Sequence, residues 1–255
     1  MRCFRSLVDE VAGGCAADPE LQWVNDVLTA YFEVAGSHSV INRARANFAR
    51  APLGVDPRSP SPGLSPYRRD LSEPPSVGYD DLLKLAERRR SVRWFQQRPV
   101  PRELVEKAIV VAGLSPSSCN RQPFQFRVFD EPHLVQQVAE TPMGTRGWVH
   151  NVPMFVVVVG SMSAFFSERD RHTIYTDGCL AGMAFLFALE SLGLSSCCVN
   201  WPDIPEREKR MAKLLKLPPY ERPVMCIAVG YPEPDGIVPF SSKRPPEDLL
   251  RFNFE

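Results

Sequence analysis

The stretch from Ala51 to Gly78, APLGVDPRSPSPGLSPYRRDLSEPPSVG, carries seven prolines in 28 residues. Each proline removes a backbone donor and fixes φ, and the residue before it is pushed out of the helical region. No helix or central strand runs through such a segment, so it marks a long linker or arm with a boundary near Gly78. The chain therefore reads as an N-terminal helical extension over residues 1–77 and a domain over residues 78–255.

Two helical patterns occupy the extension. In DPELQWVNDVLTAYFEVAG, Asp18 and Pro19 supply a start signal, and Leu21, Val24, Leu28, Tyr31 and Phe32 recur at helical spacing. SVINRARANFAR is the second. MRCFRSLVDEVAGG has Asp9 and Glu10 where a signal peptide needs an apolar core, and no apolar run approaches the ~20 residues of a membrane helix. The expected location is the cytoplasm.

Beyond Gly78, helices interleave with a few strands. YDDLLKLAERRR, PRELVEKAIVVAGL, EPHLVQQVAE, the apolar run from Thr173 through Leu192, and PEREKRMAKLLKL read as helices. FQFRVFD, the β-branched MFVVVVG, SSCCVNW and VMCIAVGY read as strands. This alternation predicts an α+β domain with its strands covered by helices in layers.

Charge narrows the function. Thirty Lys and Arg balance thirty Asp and Glu, which argues against a broad basic face for nucleic acid or an anionic membrane. The seven cysteines form no C-x-x-C pair and no Cys/His spacing for zinc. G-x-G-x-x-G, the P-loop, H-E-x-x-H and G-x-S-x-G are all absent, leaving hydrolase and kinase readings without a foothold.

Four short stretches carry chemistry. RRRSVRWF, residues 88–95, packs four arginines around one serine. Forked guanidinium donors with a hydroxyl suit a polyanion such as a phosphate, each charge-assisted bond contributing roughly 1.5–3 kcal/mol; the same residues also suit a solvated basic helix end. GLSPSSCNRQPFQF concentrates neutral hydrogen-bonding groups that suit a heterocycle, or a turn stiffened by Pro116 and Pro123. LGLSSCCVNWPD follows the long helix, and VGYPEPDGIVPFSSKRPPEDLL brings Lys243 and Arg244 after the last strand, to meet the arginines across one phosphate or to form a charged tail.

In this order the stretches closely resemble the nitroreductase family of FMN enzymes, over about residues 78–250. The resemblance rests on R-R-S-x-R with RPVPRE, S-P-S-S-x-N-x-Q-P, YTDGCLAGMAFLFALESLGL before S-C-x-V, and K-R-P near the C-terminus. CNRQPF and CCVNW resemble a branch associated with bacterial surface-polysaccharide gene sets. What the resemblance implies is a three-layer α/β/α fold with a mixed central sheet, and a homodimer holding FMN at the subunit interface. It puts Arg89, Ser91 and Arg244 on the FMN phosphate and ribityl chain, with Arg90 and Lys243 nearby. Arg93 would lie beside flavin N1, where a fixed cation favours the reduced anion. Pro116, Ser117 and Ser118 would reach the flavin from the partner subunit, and Asn120 and Gln122 would address its ring or ribityl groups. Cys198, Val199 and Asn200 would pass its N5 edge. Ser195 and Asn200 stand where many relatives carry glycine.

The implied activity is an FMN-dependent oxidoreductase linking NADH or NADPH to a small organic acceptor, with no protein acid or base required. A flavin-dependent dehydrogenase or oxidase on a sugar or peptide intermediate, and a flavin-binding protein without turnover, stand beside it. Of the remaining candidates, Cys119 reads as small apolar filling and Asp177 as a helix cap. Trp201, Phe124 and Tyr175 read as groups for substrate or for the core. Cys197 and Cys198 must point to opposite faces of their strand.

Overall fold

The computed structural model describes residues 19–50 and 64–253. Cys3, Cys15, the start signal at Asp18 and the linker as far as Gly63 lie outside the described residues. The chain divides into two compact units after Pro75.

In the first unit, α1 (Pro19–Val34) and α2 (Ser39–Arg50) form where apolar periodicity predicts them. Arg45 joins them. Its guanidinium donates to the carbonyls of Phe32 (3.1 Å) and Ala35 (2.9 Å), satisfying acceptors that the end of α1 leaves unpaired. It also lies 5.6 Å from the Phe32 ring centroid.

The second unit is built on four strands: β1 (Phe124–Phe129), β2 (Met154–Ser161), β3 (Ser195–Asn200) and β4 (Glu221–Gly230), in the order β1-β2-β4-β3. Its helices are α3 (Tyr79–Arg88), α4 (Arg102–Gly113), α5 (Pro132–Ala139), α6 (Thr173–Ser191), α7 (Pro205–Leu215) and the single turn α8 (Pro246–Leu249). Strand periodicity of two sorts the core into halves. Phe155, Val157 and Val159 of β2 face Val135 and Val138 of α5 and Met211 of α7. Met154, Val156 and Val158 face Val105 and Ala108 of α4 and Phe185 and Leu189 of α6. Both faces of the sheet are thus covered, which explains why β2 and β4 read as unbroken apolar runs and makes the unit a three-layer α+β structure.

The strands differ from the implied mixed sheet in one respect. All three neighbouring pairs are antiparallel, and among the described residues parallel pairing is confined to the single bridge between Ser91 and Ser196 on the outer edge of β3. The physical reason is local: residues 89–95 leave β3 after that bridge, Phe95 turning to an antiparallel bridge with Pro232. Two helices also stop early. α3 ends at Arg88 because Arg89 adopts extended backbone (φ −59°, ψ 124°), and α7 ends where Lys216 turns left-handed (φ 54°). Among the described residues, no helix is long and apolar enough to cross a membrane.

Candidate functional site

The arginine segment docks on the free edge of β3. The Val92 amide donates to the Ser196 carbonyl (3.0 Å), and the Phe95 amide donates to Oδ1 of buried Asn151 (2.8 Å). Asn151 also donates through Nδ2 to the Trp148 carbonyl, and its own carbonyl accepts from Gln97 Nε2 (2.9 Å). Val92 and Phe95 drop into the α5/α7 half of the core, so the intervening residues are held along the edge strand.

The four arginines separate into different environments. Arg88 leaves the group: its Nε donates to the buried carboxylate of Glu190 in α6 (2.9 Å). Arg89 is half-buried, and its Nε is a buried donor with no hydrogen-bond partner among the described residues. Arg90 is exposed, its Nη1 donating to the Arg89 carbonyl (3.3 Å). Arg93 lies 5.9 Å from the Trp148 ring centroid, a cation–π placement that fixes its position.

Arg89, Ser91 and Arg93 share Cys197 as a neighbour. Burial pushes the Cys197 thiol up, while Arg93, the Ser91 hydroxyl and Arg89 pull it back down. Cys198 points to the opposite face, as strand geometry demands; Cys197 is buried and Cys198 reaches the surface. Burial, assisted by Cys197, lifts the Cys198 thiol to about 11, with Arg89 opposing. One edge of β3 therefore gathers Arg89, Ser91, Arg93 and the backbone of Cys198, Val199 and Asn200.

The 116–122 loop is assembled elsewhere in the chain. Ser117 Oγ donates to the buried carboxylate of Asp177 in α6 (2.8 Å), and the Ser118 amide donates to the same oxygen (3.0 Å). Ser117 Oγ also accepts from the Gln122 amide (2.7 Å), and Gln122 Nε2 donates to Asn120 Oδ1 (3.3 Å). Cys119, Asn120 and Gln122 all adopt positive φ, at 51°, 52° and 47°. Such left-handed non-glycine backbone costs of order 1 kcal/mol or more per residue and clusters at functional sites. Asp177 is thus no cap of its own helix: His172 holds the N-cap position, and Asp177 anchors this loop instead. Pro116 and Ser118 are exposed on it.

Lys243 and Arg244 are exposed on the C-terminal segment. Arg244 Nη2 donates to the Asp248 carbonyl (2.8 Å), so within one chain this guanidinium is engaged with α8. The segment starts beside the arginines: the Gln96 amide donates to the Tyr231 carbonyl (2.9 Å) and the Glu233 amide to the Trp94 carbonyl (3.0 Å).

Past the end of β3 lies a cavity of about 430 Å³ lined by Trp201, Tyr175, His172, Arg171 and the ion-paired Arg222, Asp203 and Glu208. Trp201 is buried and its indole N–H donates to Glu208. Burial pushes the Tyr175 hydroxyl up, Arg222 opposing. Asn151, Trp148 and Glu190 are the residues that sequence reasoning missed; each acts through a partner whose identity the local sequence does not reveal.

The sequence profile of the Nitroreductase family matches residues 86–145 and 132–231, which include both the arginine segment and β3. The iodotyrosine deiodinase of Nematostella vectensis is 25% identical over 199 residues, covering 67% of this chain and 74% of that protein. A Methanothermobacter thermautotrophicus protein, whose name assigns it to the NADH dehydrogenases and NAD(P)H nitroreductases, is 28% identical over 153 residues, 60% of this chain and 78% of its own. Among solved structures, the FMN-dependent nitroreductase of Clostridium difficile R20291 superimposes with a TM-score of 0.58 at 20% identity, covering 68% of this chain and 99% of that one. At that identity it speaks for the fold alone.

Proposed function

This chain belongs to the nitroreductase family, and from that premise we propose that it is an FMN-dependent oxidoreductase linking NADH or NADPH to a small organic acceptor. The observation that carries the reading is the buried, unpartnered Nε of Arg89 beside Ser91. A buried donor without an acceptor costs about 1–3 kcal/mol, so a chain that keeps one at a positively charged strand edge is suited to an anion there. A phosphate monoester on a ribityl chain is such an anion, and the donor set fits it.

When bound, FMN supplies the hydride and electron transfer. The chain's residues bind and orient it. Arg89 and Ser91 donate to the phosphate and ribityl groups, and Arg90 adds positive potential from the surface. Arg93, held against Trp148, stands as a fixed cation for the N1 and C2-carbonyl side, where it favours the reduced anion. The backbone of Cys198, Val199 and Asn200 runs along the N5 edge. In the homodimer, Pro116, Ser117, Ser118, Asn120 and Gln122 of a second copy complete the cradle. Asp177 holds that loop rigid, which limits the ordering that binding would otherwise require. Lys243 and Arg244 join the phosphate side once the C-terminal segment docks on a partner.

A second reading concerns the acceptor. The deiodinase relatives favour a halogenated phenol, and the cavity past β3 offers Trp201 for a ring with the Arg171 guanidinium for a carboxylate. Iodide released from iodotyrosine under chemical reduction supports it; none released sends the acceptor search elsewhere.

The test of the main reading is direct. The protein is purified without added cofactor, its visible absorbance recorded and any heat-released ligand weighed by mass spectrometry. A yellow protein releasing FMN, bleached by NADH or NADPH under argon, is the expected result. A colourless protein that also fails to bind added FMN overturns it.

A further inference from the structure

A cavity of about 690 Å³ lies between α7 and the loop joining α5 to β2. Three guanidinium groups line it, Arg146 from the loop and Arg207 and Arg210 from α7, against one lining carboxylate, Glu140. Arg207 is already positioned: its Nη1 donates to the carbonyls of Thr141 and, at 3.4 Å, Pro142. A guanidinium has five N–H donors, so those on its other nitrogens remain for a ligand. The loop is shaped by two left-handed glycines, Gly144 (φ 81°) and Gly147 (φ 97°), which bracket buried Thr145 and exposed Arg146. Met143 and Val149 supply apolar wall.

Forked cations around a cavity of this size, with Met143 and Val149 on part of its wall, match a phosphate monoester carried by a flat heterocycle. The cleft is also tied to the flavin cradle. Trp148, on which Arg93 rests, donates its indole N–H to the Gly144 carbonyl (2.9 Å), so a single side chain separates the loop that lines the cleft from Arg93.

We propose that this cleft binds the phosphorylated adenosine end of the reduced nicotinamide donor, and that Arg146 and Arg210 select the dinucleotide bearing a 2′-phosphate. The assignment rests on the flavin reading above, because it takes Arg93 to mark the flavin that the nicotinamide end must reach.

The test uses 2′,5′-ADP as probe, titrated calorimetrically into the purified protein, with 5′-AMP and inorganic phosphate as comparators. The wild-type protein is expected to bind 2′,5′-ADP at least tenfold more tightly than either. An Arg146→Ala/Arg210→Ala double variant is expected to lose at least tenfold in that affinity, with FMN content and thermal midpoint unmoved. Its ratio of kcat/KM for NADPH to that for NADH should also fall at least tenfold. Both substitutions remove exposed side chains, which seldom disturb folding. Equal affinity for 2′,5′-ADP and phosphate reduces the cleft to a plain anion site and overturns the proposal. So does an unchanged affinity in the double variant, or an affinity lost while the kcat/KM ratio holds. A protein lacking FMN fails the parent reading by its visible spectrum, separately from the titration.

Discussion

The Ser117 hydroxyl donates to the Asp177 carboxylate across 2.8 Å, sixty residues apart in sequence. Asp177 is 2% exposed and accepts from the Ser118 amide as well, so one buried carboxylate holds two successive residues of the loop proposed to meet the partner's flavin. Asp177→Ala strands both donors, and hydrogen bonds to a charged group contribute about 1.5–3 kcal/mol each. The expected loss in urea unfolding is about 2–4 kcal/mol, with weaker FMN retention. Asp177→Asn keeps one acceptor oxygen and should lose less than half as much; equal losses in the two variants would mean that an acceptor oxygen alone does not hold the loop.

Arg89 should show opposite effects on stability and binding. Its Nε is buried without a partner, so Arg89→Met removes a desolvated donor while keeping most of the apolar stem. FMN-free protein carrying this change should be as stable as wild type or slightly more so, while FMN affinity falls at least tenfold. Arg89→Lys should not restore affinity, since lysine places no donor at the Nε position. Fluorescence titration of FMN, paired with thermal unfolding of FMN-free protein, reads both quantities. A variant that loses stability while keeping its affinity would make Arg89 a structural residue.

Much of the fold was legible because it depends on local pattern. MFVVVVG became β2 from Met154 to Ser161, since a strand buried on both faces reads as an unbroken apolar run, and the apolar run from Thr173 became α6. What escaped was set by distant partners. Arg88 belongs to the same arginine run, yet Glu190, 102 residues later, takes it away from the cluster. Asp177 looked like a cap because the loop that it holds is remote in sequence. Positive φ at Cys119 and Gln122 defies residue preference and is imposed by that anchoring.

The Arg88–Glu190 pair ties α3 to α6. Glu190 is 8% exposed, so Arg88→Ala leaves a carboxylate nearly enclosed without its cation. Because the arginine side is open to water, the loss should fall near the lower end for broken buried pairs, about 1.5–3 kcal/mol. Glu190→Gln in the Arg88→Ala background should recover part of it. A double-variant cycle in chemical denaturation measures the coupling, and a coupling of zero would class this pair with ordinary surface ion pairs.

Gly160 is required by close approach. A Cβ at this position in β2 would lie 2.7 Å from Cβ of Ile174 in α6 and 3.1 Å from Val224 Cγ2. Gly160→Ala must therefore push the long helix off the sheet, with an expected cost of about 1–3 kcal/mol. Ile174→Val should give no relief, since the Cβ that clashes remains. Recovery in the Gly160→Ala/Ile174→Val protein would show that the obstacle is the outer methyl and not the helix backbone.

Cys198 provides a pH test of the edge. Burial raises its thiol from the ordinary value of 9.0 to about 11, Cys197 and Cys179 adding to the shift and Arg89 opposing it. The folded value lies above the unfolded one, so the unfolded chain releases this proton first as pH rises. Its contribution to stability is complete below pH 9 and is lost between about pH 9 and 11. FMN-free wild type should therefore lose stability relative to Cys198→Ser across that window, and alkylation of Cys198 by iodoacetamide should accelerate only within it. Arg89→Met removes the opposing cation and should shift the alkylation profile further toward alkaline pH. A profile centred at or below pH 9 in the wild-type protein would mean that the surroundings of β3 do not raise this thiol.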